Sequence, residues 1–252
     1  MRVTLVPSAP PEQPQLFSSY VINGVMAIDA GCLDRVGSLE AMTALKHIFL
    51  THSHLDHLAS LPPFLDAVYD GSGDCVTVYG SASVLDCLRR DVFNNRLYPD
   101  FIQLSLTQPP FLKLRELVPG QTVSVEGLTI TPVEVHHVVP ALGFIVSNDQ
   151  STVVFSGDTG PTEALWREAS RRANLRAVFI ECSFPSSMEW LAELAQHLTP
   201  SRFVLERSKI PSNARVIVVH LHSRHRQVIL QELESLELPG VEIGESGRTY
   251  AL

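Results

Sequence analysis

The sequence predicts an α/β fold in which two packed sheets are covered on the outside by helices. Short β-prone runs gather in two blocks, one before residue 29 and one between residues 113 and 156. Helical and strand-like segments alternate between the blocks and again after the second. Hydrophobic residues make up 45% of the 252 positions and charged residues 18%, so the chain can bury a substantial core. That balance excludes a disordered or fibrous protein.

The first block holds Arg2–Val6, Ser19–Ile22 and Val25–Ile28, which read as strands. Ser8–Pro14 reads as a Pro-rich loop. Asn23-Gly24 reads as a tight hairpin turn between the second and third runs, because both residues tolerate positive φ. Asp29-Ala30-Gly31 is the loop leaving that hairpin. His47–Leu50 reads as a buried strand that ends at Thr51. Leu58–Tyr69 reads as a helix interrupted by Pro62-Pro63, since proline lacks the helical N–H donor. Cys75–Tyr79 reads as a strand and Ala82–Phe93 as a helix. The second block supplies the strands Lys113–Val118, Thr122–Val125, Leu128–Val135, Phe144–Val146 and Thr152–Ser156. The last third alternates helix Thr162–Ala173, strand Ala177–Ile180, helices Ser187–Gln196 and Ser201–Ser208, strand Val216–Val219 and helix Arg224–Leu236. Together these elements read as a single domain over residues 1–252.

The formal net charge of −8 makes a poor holder of a nucleic-acid backbone. No stretch approaches the roughly 18 apolar residues of a membrane span. The opening Met1–Pro7 lacks the apolar segment of a secretory signal, so the expectation is a soluble, cytoplasmic protein. The four cysteines, Cys32, Cys75, Cys87 and Cys182, show no C-x-x-C spacing, which argues against a disulfide framework or a zinc ribbon. Histidine is the unusual residue: ten are present, and they cluster.

The loop after the His47–Leu50 strand reads Thr51-His52-Ser53-His54-Leu55-Asp56-His57, an H-x-H-x-D-H pattern. A strand hands the chain to a helix here. His52 and His54 can therefore face one point, and Asp56 and His57 a second point nearby. Imidazole and carboxylate suit Zn²⁺, Mn²⁺ or Fe²⁺. Three further strand ends carry donors of the same kind: Val133-Glu134-Val135-His136-His137, Phe155-Ser156-Gly157-Asp158-Thr159-Gly160, and Val218-Val219-His220 with His222 close behind.

The ordered set H-x-H-x-D-H, His, S-G-D-T and His, spanning residues 52 to 220, resembles the metallo-β-lactamase-fold hydrolases. The resemblance implies a four-layer αββα sandwich. It implies one metal ion on His52, His54 and His137 and a second on Asp56, His57 and His220, with Asp158 bridging them. His137 is chosen over His136 because residues 137–144 resemble the family's H-x-x-P-x-x-G-[FY] stretch. His220 is chosen over His222 because it directly follows the strand and keeps the family's spacing to Arg224. The cofactors implied are two divalent ions, Zn²⁺ first, with Mn²⁺ or Fe²⁺ compatible.

Glu181-Cys182-Ser183-Phe184-Pro185, followed by His197-Leu198-Thr199-Pro200, narrows the substrate. This pair resembles the class II cyclic-nucleotide phosphodiesterases. It implies hydrolysis of a small cyclic nucleotide, of the 3′,5′-cAMP or cGMP type, to the 5′-monophosphate. In that reading Asp56 belongs to the catalytic metal site. His197 is the general acid for the leaving sugar oxygen, and Glu181 holds and polarises its imidazole. His197 and Thr199 are the candidate phosphate contacts, with helix capping as the other role open to Thr199. Alternatives are a ribonuclease Z-like endonuclease, a hydrolase of another ester or sulfate ester, and a non-catalytic metal-binding module. A tRNA-binding arm would belong between His137 and Asp158, and only residues 138–157 lie there. The expected partner is thus a small phosphodiester, with no nucleic-acid polymer and no membrane. Family resemblance adds a homodimer.

Overall fold

The structure is a computed structural model that describes residues 1–10 and 13–252, so residues 11 and 12 of the Ser8–Pro14 loop lie outside the described residues. In chain order the elements are β1 (Arg2–Leu5), β2 (Tyr20–Ile22), β3 (Met26–Ile28), α1 (Leu39–Thr43), β4 (His47–Phe49), α2 (Leu55–Leu58), α3 (Leu61–Val68), β5 (Val76–Gly80), α4 (Ala82–Cys87), α5 (Phe101–Leu104) and β6 (Leu112–Glu116). They continue with β7 (Val123–Val125), β8 (Leu128–Val135), β9 (Ala141–Ser147), β10 (Thr152–Phe155), α6 (Ala164–Ser170), β11 (Leu175–Glu181), α7 (Glu189–Ala195), α8 (Pro200–Lys209), β12 (Arg215–Val219), α9 (Arg226–Ser235), β13 (Val241–Ile243) and β14 (Thr249–Ala251).

These elements form two compact units. The amino-terminal unit comprises Arg2–Val118 and Ser246–Ala251. The carboxy-terminal unit comprises Pro119–Glu245 with Met1 and Leu252. Each unit holds one seven-stranded mixed sheet, and the two sheets follow the same plan. The first runs β14-β1-β2-β3-β4-β5-β6. Its pairs from β14 to β3 are antiparallel and those from β3 to β6 parallel. The second runs β13-β12-β11-β10-β9-β8-β7. Its pairs from β7 to β10 are antiparallel and those from β10 to β13 parallel. Parallel neighbours need crossover connections, and the helices supply them.

In the amino-terminal unit Val21, Ala27, Ile48 and Val78 of the sheet pack with Leu61, Phe64 and Leu65 of α3 and Leu85 of α4. In the carboxy-terminal unit Val154, Val178, Ile180, Val216 and Val218 pack with Trp166 of α6, Phe203 of α8 and Ile229 of α9. Full burial of a side chain of this size stabilises by about 1.5–3 kcal/mol, so these layers hold the loops at the strand ends. Among the described residues no helix is long and apolar enough to cross a membrane.

Three local features differ from the sequence reading. Pro62-Pro63 begins α3 instead of interrupting a helix. At the first helical positions the missing N–H is not needed and the fixed φ of proline suits the turn. Ala82–Phe93 divides into α4 and a π-helical turn over Leu88–Val92. The short elements α1, α5, β13 and β14 were not foreseen. The two helices rest on caps, with Ser38 accepting from the Ala41 N–H and Asp100 from the Gln103 N–H. They are too short to show a helical period.

Candidate functional site

In the amino-terminal unit the parallel strands β3 and β4 place Ile28 opposite Phe49. Their carboxyl ends therefore deliver Asp29 and Thr51 side by side. The Thr51 N–H donates to Asp29 Oδ1 at 2.8 Å, and the Thr51 hydroxyl meets the two carboxylate oxygens at 3.0 and 2.9 Å. His57 Nδ1 lies 2.7 Å from Asp29 Oδ2. An ionised carboxylate only accepts, so Nδ1 carries the proton and Nε2 the lone pair. Asp29 itself takes φ +59°, uncommon for a residue other than glycine and worth its strain at a place where side-chain aim matters.

His52 is buried, with Nδ1 2.9 Å from the Thr51 hydroxyl. His54 is the N-cap residue of α2, and Asp56 lies in its first turn. The His52 ring centroid stands 4.7 Å from that of His54 and 4.3 Å from that of His57. Donor atoms of His52 and His54 lie within 4.8 Å of one another, as do those of Asp56 and His57. The six-residue motif thus brings its four donors together in two pairs.

The loop after Asp29 is tied to the backbone of α2. The Ala30 N–H donates to the His57 carbonyl at 2.7 Å, and the Ser18 N–H to the Asp56 carbonyl at 2.9 Å. Ser60 Oγ donates to the Ala30 carbonyl and accepts from the Leu33 N–H, both at 2.7 Å. A Cβ on Gly31 would stand 2.0 Å from the Asp56 carbonyl oxygen and 2.8 Å from the Ser18 backbone. None of these neighbours is a flexible side-chain end. Gly31→Ala is therefore expected to cost about 3 kcal/mol or more, the upper end for overpacking, read as a lowered urea midpoint.

In the carboxy-terminal unit the parallel strands β10, β11 and β12 end together. Asp158 follows β10 through Gly157, which turns the chain at φ +60°. Glu181 closes β11, and His220 follows β12 at φ +54°. Past the end of β8 comes His137, whose Nδ1 lies 3.2 Å from the Gln196 carbonyl. A carbonyl also only accepts, so His137 keeps its lone pair on Nε2. Asp158 is buried, with Oδ1 3.5 Å from His220 Nε2. Its donor oxygens lie within 4.8 Å of a ring nitrogen of His137 and of one of His220.

Glu181 is fully buried and saturated with donors. Oε1 accepts from the Thr159 N–H at 2.8 Å and meets His197 Nδ1 at 2.7 Å. Oε2 accepts from the Leu198 N–H at 3.2 Å and from Ser183 Oγ at 2.8 Å. The acceptor fixes His197 as an Nδ1–H imidazole. Its ring centroid is 5.0 Å from that of His137 and 5.9 Å from that of His220, within the same cluster.

Thr199 is buried. Its hydroxyl donates to Glu189 Oε2 at 2.6 Å and accepts from the Arg202 N–H as the cap of α8. The structure thus gives Thr199 the capping role, which occupies the hydroxyl. His136 is exposed, its ring 3.1 Å from the Gln196 side-chain amide. Burial and the nearby His225 and His220 imidazoles hold His222 below the usual histidine range, and its ring stacks on Phe184 at 5.5 Å. Burial pushes the Cys32 thiol up to about 11 and the Cys182 thiol upward as well. Both are protonated core residues and all four cysteines are free. The sequence reading missed Asp29, Thr51 and Ser183. A polar residue at or just past the carboxyl end of an apolar strand was the only available signal.

Residues 25–222 match the β-lactamase superfamily domain. A Yersinia pestis protein named a probable 3′,5′-cyclic-nucleotide phosphodiesterase is 25% identical over 230 residues, covering 79% of this chain. A Mycobacterium bovis protein named ribonuclease Z is 29% identical over 145 residues, covering 54% of this chain. This chain spans 65% of the length of the first relative and 52% of the second. The crystal structure of unliganded yeast PDE1 resembles it with a TM-score of 0.81 at 20% identity, covering 98% of each chain.

Proposed function

The chain belongs to the β-lactamase superfamily and has the metallo-β-lactamase fold, and on that premise we propose that it is a di-metal phosphodiesterase hydrolysing a small 3′,5′-cyclic nucleotide. In this reading His52, His54, His137 and Asp158 hold one divalent ion. Asp56, His57, Asp158 and His220 hold the other. The donor chemistry fits. His57 and His137 present Nε2 lone pairs fixed by hydrogen bonds at Nδ1, and two carboxylates add charge. Zn²⁺ suits this set, with Mn²⁺ and Fe²⁺ compatible. When bound, two such ions supply charge neutralisation for the phosphate and a water acidic enough to react near neutral pH.

One observation carries the reading beyond metal binding: His197 held 2.7 Å from buried Glu181, inside the cluster that contains Asp158 and His220. The carboxylate occupies Nδ1, so the proton that His197 can release leaves from Nε2. Hydrolysis of a cyclic phosphodiester breaks the P–O3′ bond. Water supplies the new P–O bond, and O3′ needs a proton as it departs. A protonated His197 gives that proton, and Glu181 keeps the ring aimed. General-acid assistance of this kind is worth about 10²–10⁴ in rate.

The reading of a small substrate is supported by the short chain between His137 and Asp158. Strand β9, a turn and β10 occupy it. The Yersinia relative's name supports a cyclic nucleotide. The protein would be assayed, with Zn²⁺ or Mn²⁺ present, on 3′,5′-cAMP, 3′,5′-cGMP, 2′,3′-cyclic nucleotides, a nitrophenyl phosphodiester and a precursor tRNA. The expected product is a nucleoside 5′-monophosphate from a 3′,5′-cyclic substrate. Cleavage of the tRNA alone would favour the ribonuclease Z reading. No turnover of any phosphodiester would end both.

A further inference from the structure

Each unit repeats one hydrogen-bonding device. In the carboxy-terminal unit buried Glu181 holds His197 directly at 2.7 Å and reaches His220 through the Ser183 hydroxyl. In the amino-terminal unit buried Asp29 holds His57 directly at 2.7 Å and reaches His52 through the Thr51 hydroxyl. The direct contacts fix their rings simply. The relayed ones depend on where a single hydroxyl proton goes.

A hydroxyl has one proton to give. Ser183 Oγ faces two acceptors that cannot donate, Glu181 Oε2 at 2.8 Å and the His220 carbonyl at 2.9 Å. Whichever takes the proton, the hydroxyl meets His220 Nδ1, 3.1 Å away, with a lone pair. Nδ1 must then be N–H, and the lone pair of the ring is on Nε2. Thr51 obeys the same logic. Its proton goes to the Asp29 carboxylate at 2.9–3.0 Å, and it accepts from His52 Nδ1 at 2.9 Å.

We propose that Ser183 and Thr51 are positioning residues for metal retention, each relaying a buried carboxylate to one imidazole and locking it as an Nε2 donor. The proposal rests on the di-metal reading above. It also separates the two tasks of Glu181. Contact with His197 serves the proton, contact through Ser183 serves the ion on His220, and cutting at Ser183 removes only the second.

The test uses the full-length protein loaded with Zn²⁺ and dialysed against graded chelator, with ions per chain measured by plasma mass spectrometry. Wild type is expected to hold two. Ser183→Ala and Thr51→Ala are each expected to give up one ion at about 10–100-fold lower chelator strength, the usual loss when an outer hydrogen bond to a ligand is removed. Ser183→Thr and Thr51→Ser keep the hydroxyl and are expected to match wild type. If Ser183→Thr is too bulky to fold, the Thr51 pair decides alone. Long-range ¹H–¹⁵N spectra of the metal-free wild type should show Nδ1–H imidazoles at His220 and His52. Alanine variants that retain both ions as tightly as wild type overturn the inference while leaving the di-metal reading standing, and so does an Nε2–H tautomer at either ring. A wild type that retains no ion overturns both.

Discussion

Replacing Asp158 with alanine is expected to abolish phosphodiester hydrolysis and to lower the metal content of the chain below two ions. The expectation follows from where the residue stands. β10 ends at Phe155, Gly157 turns the backbone, and the carboxylate arrives within 4.8 Å of donor nitrogens on both His137 and His220. In the proposed arrangement it is the only side chain common to both ions. Two dications held close together would repel strongly at low dielectric, and a carboxylate common to both would offset that repulsion. Asp158→Asn keeps the volume and removes the charge, so it separates electrostatics from packing. It is expected to behave like alanine in activity and metal content. It is not expected to unfold the protein, because a buried carboxylate carries a desolvation cost that the amide lowers. Measured together, metal content, turnover and melting temperature decide the matter. An Asp158→Asn protein holding two ions and more than about a tenth of wild-type activity would refute the bridging role.

The candidate metal donors were legible in the sequence because their chemistry is concentrated. His52, His54, Asp56 and His57 fall within one short loop, and His137, Asp158 and His220 each follow an apolar strand. The residues that aim them were not legible, for a physical reason. Asp29 and Thr51 are 22 positions apart, and Ser183 and His220 are 37 apart. Parallel register brings each pair together, and register leaves no spacing in the sequence. A lone serine two residues past a strand looks like any turn serine. Thr199 shows the opposite case. Its place in the H-L-T-P stretch made it a candidate for phosphate, yet its position before Pro200 is also that of a helix cap, and local capping took the hydroxyl. The matching plan of the two sheets was hidden too, since β13 and β14 are three-residue edge strands that carry no alternation to read.

His197→Ala is expected to lower turnover of a 3′,5′-cyclic nucleotide by about 10²–10⁴ while two ions stay bound, because the ring serves the leaving group and holds no metal in the proposed arrangement. The leaving group provides the sharper test. A sugar alkoxide is a strong base and needs a proton as the P–O3′ bond breaks. A nitrophenolate is a weak base and departs without one. The same variant should therefore hydrolyse a nitrophenyl phosphodiester at close to the wild-type rate. Glu181→Gln should behave differently. Its amide would present N–H groups toward donors that now converge on Glu181: the Thr159 and Leu198 N–H groups, Ser183 and His197. That disturbs the acid and the Ser183 relay to His220 at once, so both substrates should slow and metal should be lost. Equal losses on the two substrates in His197→Ala would show that the imidazole shapes the site and does not deliver a proton. The assignment of the Glu181–His197 pair to leaving-group protonation would then fail, even with both ions in place.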